Sequence, residues 1–140
     1  MTLPTTSRPP VPHSALDLLD RSRDCLVVAH NASSPGERYV AAHLSALRAA
    51  AAVLAVRGRP RRPGGALNVW QVLPRVAPEL TEWATFFSAS APRRAAVEAG
   101  RSHAVSMREA DDLMRDAEMF SHRVADCLGV SLQLTSSTYP

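Results

Sequence analysis

Between Ser14 and Gly129 apolar residues recur at three- and four-residue steps, the period of helices that each bury one face. The pattern is sharpest from Ser106 to Gly129, where Ala110, Leu113, Met114, Ala117, Phe120, Val124, Cys127 and Leu128 fall on one side. Ser106 and Glu109 form the start signal of a capping box, and Gly129 stands where a left-handed cap stops a helix. An earlier helix is predicted from Ser14 to Ala29 or His30, opened by Ser14 with Asp17 and stopped by Asn31. Its inner stripe is Ala15, Leu19, Ser22, Leu26 and Ala29. A second helix starts at Ser34, with Pro35 at its first position and Glu37 closing a capping box, and ends at Gly58. Its stripe reads Val40, Leu44, Leu47, Ala51 and Leu54, and the alanine run 49–52 invites a close neighbour. So short a link between these two helices predicts an antiparallel hairpin.

The middle of the chain is less regular. Asn68 with Gln71 predicts a short helical turn that Pro74 interrupts. Pro78 opens a longer segment, ELTEWATFFSAS, and Ser90 with Pro92 is expected to restart a separate helix that Gly100 ends. Trp70, Trp83, Phe86 and Phe87 are read as core, since aromatic rings bury the largest areas. The chain thus divides into an arm at 1–13, a helical bundle at 14–129 and a tail at 130–140, with an Arg/Pro/Gly-rich loop at 57–66 inside the bundle. The fold class is all-α, an antiparallel up-and-down bundle of four to five helices.

Composition agrees with this. Apolar residues make up 46% of the chain and aromatic residues only 5%, a balance that suits close-packed helices better than β-branched strands. With 140 residues the chain has the length of one domain with a real core. All 16 cationic residues are arginine, and the net charge of +3 permits contact with nucleic acid without demanding it. Cys25 and Cys127 have no partners at metal or disulfide spacing and read as core residues of a reduced, cytoplasmic protein with no membrane segment.

Several chemistries find no motif. There is no phosphate-binding glycine loop, no nucleophile elbow and no histidine or cysteine pair at ligand spacing, so neither metal nor other cofactor is expected. The loop arginines Arg57, Arg59, Arg61 and Arg62 are candidate phosphate contacts, weighed against a plain solvated loop.

The early pair ALDLLDRSRDCLVVAH and ERYVAAHLSALRAAAAVLAVRG, the aromatic ELTEWATFF and the last helix READDLMRDAEMFSHRVADCLG together resemble the HEPN superfamily, in particular its small stand-alone actinobacterial members. The resemblance implies a helical bundle, a homodimer and, in many members, metal-independent cleavage of RNA. The superfamily motif, an arginine followed after four to six residues by histidine, is matched by Arg115 and His122, with Asp116 directly after the arginine. By that carry-over His122 would be the general base toward a 2′-hydroxyl and Arg115 would stabilise the transition-state charge. Arg23 with His30 has the same spacing, and Arg38 precedes His43 with four residues between; chance alone supplies about two matches in a chain of this composition.

The surrounding residues support a second reading. Arg115 and His122 project opposite the apolar stripe, where Asp111 with Arg115 and Glu118 with His122 are spaced four residues apart and expected to pair along a solvated face. From Met107 to Leu128 three arginines face six acids, a poor invitation to RNA. Against an RNA-binding or RNA-cleaving domain therefore stands a catalytically silent bundle that binds a protein partner or a small ligand.

Overall fold

The computed structural model describes residues 10–58, 68–101 and 103–131. The candidate arginines Arg59, Arg61 and Arg62, most of the predicted arm and most of the predicted tail lie outside these residues. The described chain is all-α: α1 His13–Asn31, α2 Pro35–Arg57, α3 Val69–Val76, a 3-10 turn at Pro78–Leu80, α4 Thr81–Glu98 and α5 Met107–Leu128.

The organising helix is α2, which packs against each of the other four. Its residues pair with α1 in descending register, Ser45 against Ser22 and Arg38 against Ala29, so the two run antiparallel as the short connection predicts. Against α4 the register also descends, with His43 on Ser90 and Gly36 beside Val97. Toward α5 it ascends, Arg38 meeting Asp111 and the Ser22–Ser45 pair meeting Ser121, so α2 and α5 are parallel. Up-and-down packing of α1, α2, α4 and α5 follows.

A helix surrounded this way has no single inner stripe, and here the sequence reading is corrected. Val40, Leu44, Leu47 and Ala51 are only half-buried, while Tyr39, Ala42, His43, Ser45, Ala46, Ala49, Ala50, Ala52 and Val53 are buried. Small side chains let the neighbours approach, and three buried serines mark the closest point. Ser22 Oγ donates to the Ser45 carbonyl at 2.8 Å, Ser45 Oγ returns a bond to the Ser22 carbonyl at 2.8 Å, and the Ser121 hydroxyl lies 3.2 Å from Ser22 Oγ. By length and hydropathy α2 would also suit a membrane span, but most of that apolar stretch is buried inside the bundle.

The helix ends show where the local signals hold. Ser106 and Glu109 cap α5 reciprocally, and Gly129 closes it with a left-handed φ of 70°. Ser34 accepts from the Glu37 amide at the start of α2. In α1, however, Pro12 rather than Ser14 is the N-cap, and no side chain caps it. Nor is Asn31 left-handed: it ends α1 with its side-chain amide donating to the Val27 carbonyl at 3.0 Å. Asn68 and Gln71 do form a capping box, yet α3 runs through Pro74 to Val76. Proline there forfeits only its own bond, and the Ala77 amide still reaches the Leu73 carbonyl at 2.8 Å.

Pro92 likewise does not break the chain into two helices. It lies inside one continuous α4, on an exposed side with Ser88, where water can take the carbonyl bond that proline cannot fill. The aromatic residues form one cluster, with Trp70 stacked on Phe87 at 5.2 Å and Phe87 against Phe120 at 5.2 Å. Full burial of rings such as Phe87 and Phe120 is worth roughly 1.5–3 kcal/mol each. Phe86 is the exception to the core assignment: it remains 43% exposed.

Candidate functional site

The outward strip of α5 is where the sequence places its sharpest chemistry. Residues seven apart on a helix return to nearly the same azimuth about 10 Å along the axis. Arg115 and His122 accordingly share the exposed face, with Met119 between them. Arg115 Nη1 donates to Asp112 Oδ1 at 3.3 Å, and both side chains are well exposed. His122 makes no hydrogen bond or ion pair among the described residues. Asp116 is half-buried, and its carboxyl is pushed above the usual range first by that burial and then by Asp112, with Arg115 pulling it back.

The expected ion pairs along this helix do not form. Asp111 turns instead to Arg38 at 2.6 Å, and Glu118 to His30 at 3.5 Å. Both carboxylates sit on the flank of α5 that faces α1 and the start of α2, so cations from those helices reach them. In the alternative match of Arg38 with His43, both residues serve the fold. Arg38 donates to the carbonyls of Ala29 at 2.9 Å, His30 at 3.3 Å and Ala32 at 3.2 Å, closing the end of α1. His43 is fully buried against Trp70 and Phe87, its Nδ1 2.9 Å from Ser90 Oγ. Burial, reinforced by the charge of Arg94, lowers its pKa to about 4.

Arg57 is not a loop cation. It is the last residue of α2, bonded to Glu79 at 2.9 Å and to the Val76 carbonyl at 3.1 Å, and it ties α2 to the segment before α4. Among the described residues no group of three or more His, Cys, Asp or Glu is placed to hold a metal ion.

A concavity lies beside this strip, between α4 and α5. A cleft of about 450 Å³ is floored by Tyr39 of α2 and walled by Phe86, Ser90 and Arg93 of α4 and by Asp112, Leu113 and Asp116 of α5. An adjoining hollow of about 280 Å³ shares Phe86 and Asp116 and adds Glu82 and Trp83. Arg93 pairs with Glu109 across the gap, and Glu109 also accepts the Ser106 amide at 2.9 Å. That amide bond comes first, and the ion pair adds to it, in holding the Glu109 carboxyl below its usual range. Ser90 Oγ donates to the Phe87 carbonyl at 2.8 Å, which leaves its oxygen to accept from His43 and fixes the cleft wall to the core.

Of the residues that line this cleft the sequence reading gave a functional place only to Asp116, and that as a neighbour of Arg115. One signal was available. Adjacent residues on a helix point about 100° apart, so where a helix buries a single face Phe86 and Phe87 are not expected to share its centre.

No curated protein and no solved structure shows a significant match to the chain. The SAV_6107-like HEPN family model, however, matches residues 29–125, from the last turn of α1 to the last turn of α5. More than half of the sequence is covered, the bundle has the expected all-helical build, and the chain belongs to this HEPN family.

Proposed function

We propose that this HEPN domain acts as a binding module through the α4–α5 cleft and does not cleave RNA. The observation that carries this reading is a cleft between α4 and α5 that neither Arg115 nor His122 lines. The cleft offers aromatic walls and a carboxylate rim, the mixture of apolar surface and a few polar groups that binding pockets share. Arg115 and His122 stand on the exposed outer strip of α5 and line neither hollow, with Arg115 drawn to Asp112 and Asp116 beside it. A phosphodiester approaching that strip meets more negative than positive charge on α5.

RNA cleavage is the competing reading, and one observation favours it: His122 is exposed and unpaired among the described residues, on the same face as Arg115. Two copies meeting along this strip would bring two such pairs together in a homodimer. The test is incubation of mixed-sequence RNA with the purified protein in EDTA, beside His122→Ala and Arg115→Ala variants of matched helicity. Intact RNA in all three samples is expected. Cleavage by the wild type alone, leaving cyclic-phosphate ends, would overturn the binding-module reading and assign the chemistry to those two residues.

A further inference from the structure

We infer that the α4–α5 groove docks a basic, arginine-bearing segment of a protein partner, with a guanidinium seated between the Phe86 ring and the carboxylates of Asp112 and Asp116. This deepens the binding-module reading and rests on it.

Shape argues for a segment of chain. The two hollows adjoin at Phe86 and Asp116 and together extend along α4 from Glu82 to Arg93. Eleven helical steps span about 16 Å, the length of roughly five extended residues. Phe86 projects a large apolar ring that the bundle leaves 43% exposed, and a covering apolar side chain would remove it from water.

Charge argues for arginine. The chain carries a net charge of +3, yet the groove gathers Glu82, Glu109, Asp112 and Asp116 around one arginine, Arg93. Arg93 is taken by Glu109, and Asp112 has only the exposed Arg115. Glu82 and Asp116 have no ion pair among the described residues. Asp112 and Asp116 stand four residues apart on one helix face, where like charges repel, and an arriving cation relieves that repulsion. Burial first and then Asp112 push the Asp116 carboxyl upward, and a cation beside it would offset that push. A guanidinium meets both surfaces at once, since its plane stacks on an aromatic face while its fork donates to carboxylates. Phosphate-bearing ligands are repelled by the same rim.

The test is titration of the ¹⁵N-labelled full chain, followed by NMR, with an acetylated and amidated leucine–alanine peptide carrying arginines four residues apart. Saturable shifts are expected at the Trp83 indole and at the amides of Phe86, Asp112 and Asp116. The same peptide with glutamate for arginine should leave them still. Asp112→Asn/Asp116→Asn should weaken binding at least tenfold, as should the separate surface variant Phe86→Ala. Absence of saturable shifts at millimolar peptide, or unchanged affinity in the double variant, overturns the inference. Spermidine binding as tightly as the peptide also overturns it, by making the occupant a small polyamine. A silent titration with intact RNA removes only the arginine-segment assignment. RNA cleavage in EDTA removes the module reading whatever the titration shows.

Discussion

Lowering the pH from 7 to 5 should unfold this bundle more easily through a single side chain, His43. Its ring is 1% exposed and packed edge-on against Trp70 and Phe87, with Nδ1 donating to a Ser90 hydroxyl already engaged with the Phe87 carbonyl. A proton on the second ring nitrogen would place a charge among aromatic rings and near Arg94. The folded pKa of about 4 lies below the ordinary value of 6.5, so the folded state favours the neutral ring. The unfolded chain therefore takes up the proton first as pH falls. Stability is complete above the unfolded pKa, falls between pH 6.5 and pH 4, and levels off below that. At about 1.4 kcal/mol per unit, His43 contributes a loss of about 2 kcal/mol between pH 7 and pH 5 and about 3 kcal/mol by pH 4. Urea unfolding followed by the fluorescence of Trp70 and Trp83 measures it. A His43→Leu variant provides the subtraction, since carboxylate effects common to both proteins cancel. The variant should be less stable at pH 7 by about 1 kcal/mol for the lost hydrogen bond, with a correspondingly flatter pH profile. Equal losses in wild type and variant between pH 7 and pH 5 would refute the argument.

Two further substitutions follow from the same packing. Arg38→Lys should cost about 2 kcal/mol in thermal or urea unfolding, because one ammonium cannot serve the Ala29, His30 and Ala32 carbonyls and Asp111 together; a lysine variant as stable as wild type would show those bonds to be incidental. Pro92→Ala should stabilise by about 2 kcal/mol, as it restores a helical bond inside α4 at a small cost in unfolded-chain entropy. A drop in melting temperature would mean that Pro92 shapes α4 in a way its exposed position does not suggest.

The last helix was legible because its signals agree with one another. Its large apolar residues fall on one side, its capping box is local, and Gly129 adopts the backbone that its position predicts. In α2 the same reasoning finds Leu54 but misses most of the buried surface, since hydropathy weights Leu44 and Leu47 above Ala42, Ser45 and Ala46. Side-chain size decides there: a helix with neighbours on every side buries what is small enough to admit them. His43 escapes for a related reason, as a polar residue enters the core only when a distant partner, here Ser90, satisfies it. Proline rules failed at Pro74 and Pro92 because tertiary packing outweighs the loss of one helical bond.

The cleft is a consequence of that same contrast in size. Where α1, α2 and α5 meet, serines and alanines let the helices close until hydroxyls bond across them. Between α4 and α5 the rings of Trp83, Phe87 and Phe120 meet instead, with Trp83 and Phe120 centroids 5.5 Å apart. Rings of that bulk hold the two backbones apart, and the polar residues above them cannot bridge the gap except where Arg93 reaches Glu109. A groove results, with an aromatic floor and a rim set by whichever residues α4 and α5 turn toward it. No local pattern contains it, because Tyr39, Phe86, Arg93 and Asp116 are brought together only by the crossing of three helices. The arginine–histidine spacing, by contrast, is wholly local to α5, which is why sequence shows it so readily and why its presence alone says little about where this domain binds.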